Sequence, residues 1–143
     1  MKILLVSDKV IDFLYSPVIA DKMSDIDLII SCGDLPTSYL EYMVTVLNKP
    51  LYYVFGNHHK EKIWSENGLK SNMPQGCINL DNKIIDFKGL LLGGLEGSYR
   101  YSGGKHQYSE REMCLKTCRL KPRMYINKLL KHRYLDILVT HAP

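Results

Sequence analysis

No apolar run in this 143-residue chain approaches the ~20 residues of a membrane-spanning helix. Its first residues form a short apolar stretch over 3–6 with charge soon after. They lack the longer apolar core and small-residue cleavage site of a secretory signal. Cysteine is sparse: Cys32, Cys77, Cys114 and Cys118 show no paired C-x-x-C zinc spacing. They read as reduced thiols of a cytoplasmic protein, and Cys114 and Cys118, one helical turn apart, fit core filling better than metal binding. The charge imbalance is slight at +4, which gives no case for a nucleic-acid partner. No repeat, low-complexity tract or second-domain boundary interrupts the chain, so a single domain over residues 1–143 is expected. A hydrophobic fraction of 45% excludes a disordered chain. A domain of this length buries roughly 68–70% of its unfolded surface.

What is present is a recurring event. An apolar strand over residues 51–55 follows Pro50 and stops in Gly56-Asn57-His58-His59. Apolar strands over 2–7, 26–32 and 136–140 likewise end at Asp8, at Gly33-Asp34 and at His141. In open α/β sheets the ligand crevice lies beyond the carboxyl ends of the strands. Parallel neighbours would therefore bring Asp8, Asp34, Asn57, His58 and His141 together. Two carboxylates, an amide and imidazoles suit divalent Mn, Fe, Zn or similar ions. The bland alternatives are turn-forming Asp residues, a left-handed Asn57 and solvated imidazoles.

Between these strands, Ser16-Pro17 reads as an N-cap and first helical residue, opening a short helix to Met23. Leu40, Met43, Val44 and Leu47 share one face of a second helix that Asn48-Lys49-Pro50 stops. The β-α-β-α-β order predicts parallel strands and an α/β fold. Residues 60–75 show no strong periodicity, and Trp64 is expected to anchor them by packing. Strands over 76–80, 83–87 and 90–92, with turns at Asp81-Asn82 and Lys88-Gly89, predict an antiparallel meander and hence a mixed sheet. Residues 93–107 read as a glycine-rich loop beside the crevice. Ser109-Glu110-Arg111-Glu112 is a capping-box pattern opening a helix with Met113, Cys114, Thr117 and Cys118 inward. Pro122 is expected to break it. A further helix to about His132 would turn Tyr125, Ile126, Leu129 and Leu130 inward.

Taken in order, Asp8, Gly33-Asp34, Gly56-Asn57-His58 and Thr140-His141 resemble the calcineurin-like metallophosphoesterase superfamily. Its pattern is Asp-x-His, Gly-Asp, Gly-Asn-His-Asp/Glu, a later single His and a final Gly-His-x-His. The resemblance runs from Ser7-Asp8 to Thr140-His141-Ala142-Pro143. It implies a mixed-sheet α/β/β/α sandwich around a two-metal site, and hydrolysis of a phosphomonoester or phosphodiester by a metal-activated water. It further implies that Asp8 binds the first metal, Asp34 bridges both, and Asn57 and His141 bind the second. His58 would face the substrate as a catalytic residue, protonating the leaving oxygen or steadying the phosphoryl charge. Val10 stands where the family has a histidine, His59 where an Asp or Glu usually follows, and no Gly-His-x-His occurs. Three groups then serve the second ion against two for the first, so the second should bind more tightly.

His59, Tyr99, Arg100 and His106 are candidate substrate contacts, against the alternative of an ordinary solvated loop and a surface imidazole at His59, with a phosphoester small molecule or nucleotide as ligand. The chain is expected to be C-terminally incomplete as a catalytic unit. An exposed sheet edge would then invite self-association or a partner segment. The alternative function is a non-catalytic phosphate-ligand-binding or scaffold protein with a decayed metal site.

Overall fold

A computed structural model describes residues 1–59, 62–65 and 68–142, with the backbone alone at 62–65 and 68–71. The chain runs through β1 (Ile3–Val6), a 3-10 turn (Asp12–Tyr15), α1 (Ile19–Lys22), β2 (Leu28–Ser31), α2 (Thr37–Leu47), β3 (Leu51–Tyr53), β4 (Lys62–Ser65) and β5 (Gly68–Ser71). It continues through β6 (Ile78–Asn79), β7 (Ile84–Phe87), β8 (Leu90–Leu95), β9 (Ser98–Tyr99), β10 (Gln107–Tyr108), α3 (Glu110–Lys131) and β11 (Ile137–Thr140). The class is mixed α/β, as the strand-helix alternation predicts.

The first sheet has the order β1-β2-β3-β6 and is parallel throughout. Its central strands β2 and β3 are apolar and buried on both faces, because both faces are covered there. Side chains alternate along β2. Ile29 joins Tyr39, Leu40, Met43 and Leu47 of α2 on one side. Leu28 and Ile30 join Leu80, Leu92 and Val139 on the other. Leu92 and Val139 belong to a further sheet, ordered β11-β8-β7, with β11 parallel and β7 antiparallel to β8. Gly94 lies where the two sheets touch: a Cβ there would stand 2.5 Å from that of Leu80 and 2.8 Å from Val54 Cγ1.

Several expectations change. β6 pairs parallel with β3, so Asp81-Asn82 carries the chain from one sheet to the other and closes no hairpin. Lys88-Gly89 does close a hairpin, with positive φ at both residues, as primed turns require. Residues 93–107 are not all loop, since β8 runs on through Gly93 and Gly94, and β9 and β10 follow. The helix at Ser16-Pro17 is a single turn without a side-chain cap. The strand pair β4–β5 occupies part of 60–75, and the packing of Trp64 lies outside the described side chains. Among the described residues no helix is long and apolar enough to cross a membrane.

α3 departs most. It opens on the capping box at Ser109 and Glu112, then runs unbroken through Pro122 to Lys131. Pro122 is exposed, as is Cys118 one turn before it, so the carbonyl that loses its donor faces water. The buried face is also not the expected one. Lys116, Leu120 and Asn127 are buried, whereas Cys114, Thr117, Cys118, Tyr125, Ile126, Leu129 and Leu130 are exposed. Polar partners cause this rotation. Lys116 Nζ sits 2.9 Å from the Asp81 carboxylate and 3.4 Å from Glu96 Oε1. It also lies 4.1 Å from the centre of the Tyr108 ring.

Tyr108 and His106 complete this group, the hydroxyl donating to Glu96 Oε1 over 2.6 Å and Nδ1 lying 3.3 Å from that oxygen. Burial pushes the Glu96 carboxyl up, but the hydrogen bonds from His106 and Tyr108 and the Lys116 charge outweigh it. They hold the group down at about 2, against an ordinary 4.5. The folded protein therefore binds this proton more weakly than the unfolded chain. The resulting stabilisation is fully present above the ordinary value and is lost as pH falls toward the folded one. Glu96→Gln should flatten the acid limb of a urea-unfolding series, removing up to about 3 kcal/mol of pH dependence. An unchanged acid limb in the variant would contradict the assignment.

Candidate metal centre

Parallel pairing places the ends of β1, β2 and β3 on one edge of the first sheet, and β11 brings its own end alongside. Two backbone bonds fix the approach: Asp8 N–H donates to the Gly33 carbonyl over 3.1 Å, and Cys32 N–H to Val6 over 2.9 Å. Asp8 and Asp34 adopt left-handed φ of 59° and 55°. For non-glycine residues such backbone costs on the order of 1–3 kcal/mol and collects at functional sites. The result is that ligand atoms of Asp8, Asp34 and His141 lie within 4.8 Å of one another.

His141 is held in a defined tautomer. Its Nδ1 lies 2.8 Å from the Cys32 carbonyl, which can only accept, so Nδ1 carries the proton. Nε2 of the neutral ring then presents a lone pair. It faces Asp34 Oδ2 at 3.2 Å and Asn57 Oδ1 at 3.1 Å. The Asn57 amide is oriented by its other end, where Nδ2 donates to Tyr101 Oη over 2.7 Å. With the ring in that form, three acceptors converge without a donor between them. A cation or a proton relieves that repulsion. The donor set of carboxylate oxygens, one amide oxygen and one imidazole nitrogen fits a divalent ion of the Mn, Fe or Zn kind. Burial and then the Asp8 charge push the Cys32 thiol up, which disfavours the thiolate that a soft ligand needs.

The two motif glycines are steric necessities. A Cβ on Gly56 would fall on the Asp34 carboxylate. Gly33 has φ +106°, and a Cβ there would stand 2.7 Å from both Gly56 N and His141 Nδ1. Gly56→Ala is therefore expected to displace Asp34, destabilise the fold by roughly 1–3 kcal/mol and weaken ion binding. Wild-type thermal stability and affinity in that variant would show the packing to be slack.

His58 is exposed at the rim, its main-chain N–H donating to Asp34 Oδ1 over 3.0 Å. It borders a cavity of about 260 Å³ together with Asp34, Pro36, Thr37, His59 and Asn72. His59 stacks on Phe55 with ring centres 3.7 Å apart. His106 is buried beside Glu96 and lines a separate cavity of about 350 Å³ with Phe55, Asn79 and Lys83. Arg100 spends its guanidinium on Glu112, at 2.9 and 2.7 Å. Tyr99 is exposed and borders an apolar groove with Leu95, Met113 and Thr140. None of Tyr99, Arg100, His59 and His106 belongs to the Asp8–Asp34–His141 cluster. Val10 packs with the apolar core on the helix side of the first sheet. Reasoning from motifs missed Tyr101 and the Cys32 carbonyl, which orient the two ligands from outside any motif.

No protein-family model matches the chain, and no curated protein matches it either.

Proposed function

We propose that this chain is a metal-dependent phosphoesterase of the calcineurin-like kind, built on the α/β/β/α sandwich that the resemblance implies. One observation carries the reading. Four strand ends from two sheets, far apart in sequence, converge: Asp34 Oδ2 and Asn57 Oδ1 face His141 Nε2, and Asp8 joins Asp34 and His141 within 4.8 Å. The two covered faces of the first sheet support the layered architecture. Asp34, Asn57 and His141 would hold the tighter ion, with Asp8 and Asp34 offering a second, weaker position. A divalent ion bound there supplies Lewis acidity toward phosphoryl oxygens and lowers the pKa of water.

The chain's own residues do the rest. The Asp34 carboxylate offsets cationic charge while accepting the His58 N–H. His58, which borders the cavity beside Asp34, would give a proton to the leaving oxygen. The 260 Å³ cavity lined by Thr37 and Asn72 accommodates the departing group. The partner is then a small phosphoester or a nucleotide. The open edge of β11, paired on one side only among the described residues, offers a place for another copy or a partner segment.

A second reading has one observation in its favour. Val10, where the family has a ligand, is absorbed into the core, which suits a phosphate-ligand-binding protein without turnover. Hydrolysis of bis(p-nitrophenyl) phosphate and p-nitrophenyl phosphate with and without Mn²⁺ separates the two. Mn²⁺-dependent release from either supports the esterase, and phosphate binding without release supports the alternative.

A further inference from the structure

α3 carries two apolar faces where its own fold uses one. Leu120 packs inward with Lys116 and Asn127, yet Leu115, Tyr125, Leu129 and Leu130 are 61%, 60%, 78% and 75% exposed. Leu115, Cys118, Pro122, Tyr125 and Leu129 recur at steps of 3, 4, 3 and 4 along the solvent face. That is the spacing of a coiled-coil seam, which presents one narrow stripe to a facing helix. Such a run of exposed apolar residues on a helix marks an interaction surface.

We propose that the solvent face of α3 docks an amphipathic helix of a partner protein, apolar along its seam and acidic at its flanks. The charge pattern selects this occupant. Arg119, Lys121 and Lys128 stand beside the seam, and Glu112, the acidic residue nearest it, is engaged with Arg100 and Ser109. A second copy of α3 offers these cations no acidic partner: packed parallel it sets Lys121 against Ile126 and Arg119 against Cys114, and packed antiparallel it sets Lys121 against Lys128; such flanking positions decide partner choice. This inference is independent of the metal centre.

The test uses the full chain and a labelled peptide of about three heptads, with Leu at the seam and Glu at the flanks. A matched peptide with Lys at the flanks serves as its opposite. The Glu peptide should bind at least about tenfold more tightly than the Lys peptide. Arg119→Glu with Lys121→Glu should invert that preference. Leu115→Ser with Leu129→Ser should abolish binding while circular dichroism and thermal unfolding stay unchanged, since both side chains are exposed. Equal binding of the two peptides, or of neither, overturns the proposal. So does a dimer lost in Leu115→Ser with Leu129→Ser, or binding to phosphatidylserine vesicles that the Glu peptide does not displace.

Discussion

Asp34→Ala is expected to remove tight Mn²⁺ binding altogether and any Mn²⁺-dependent hydrolysis with it. Asp34 is central to the cluster: its carboxylate meets His141 Nε2 at 3.2 Å and the His58 amide at 3.0 Å. Outer partners of a ligand typically contribute about 10–100-fold to metal affinity, so loss of a direct ligand should exceed that. Asp8→Ala provides the contrast. Asp8 is exposed and lies outside the Asp34–Asn57–His141 trio, so the tighter ion should remain. Calorimetric titration of both variants checks the pair. Abolition of all binding by Asp8→Ala would reverse the allocation of ligands.

The second large effect belongs to His58. Its main chain is tied to Asp34, yet its ring stands at the rim of the 260 Å³ cavity, apart from the ligand cluster. A positioned general acid contributes about 10²–10⁴-fold. His58→Ala should therefore lower turnover by that order while leaving ion affinity intact. The loss should be large for an alkyl leaving group and small for p-nitrophenolate, which needs no proton to depart. An equal loss on both substrates would remove the acid role, and weakened ion binding would make His58 a ligand instead.

The strand ends were legible because each breaks an apolar run with Asp, Asn or His, and period and interruption are both local signals. α2 was legible for the same reason, through Leu40, Met43 and Leu47 on one face. The far side of the domain was not. Lys116 is drawn inward by Asp81, 35 residues away, and by Glu96, 20 away. No apolar periodicity reports such ion pairs, so α3 is turned away from the face its leucines suggest. Pro122 misled through a rule with an exception: a solvent-facing carbonyl tolerates the loss of its donor. The orienting contact from Tyr101 to Asn57 spans 44 residues and has no motif. The orienting bond from His141 to the Cys32 carbonyl spans 109 and uses a backbone atom, which no side-chain pattern reveals.

The convergence of acceptors on His141 Nε2 is the core of this account, and anomalous diffraction from crystals soaked in Mn²⁺ tests it most directly. The predicted result is a peak enclosed by His141 Nε2, the Asp34 carboxylate and Asn57 Oδ1, absent from crystals of His141→Ala. A soaked crystal without density there, and with Nε2 protonated and donating to Asp34, would contradict it.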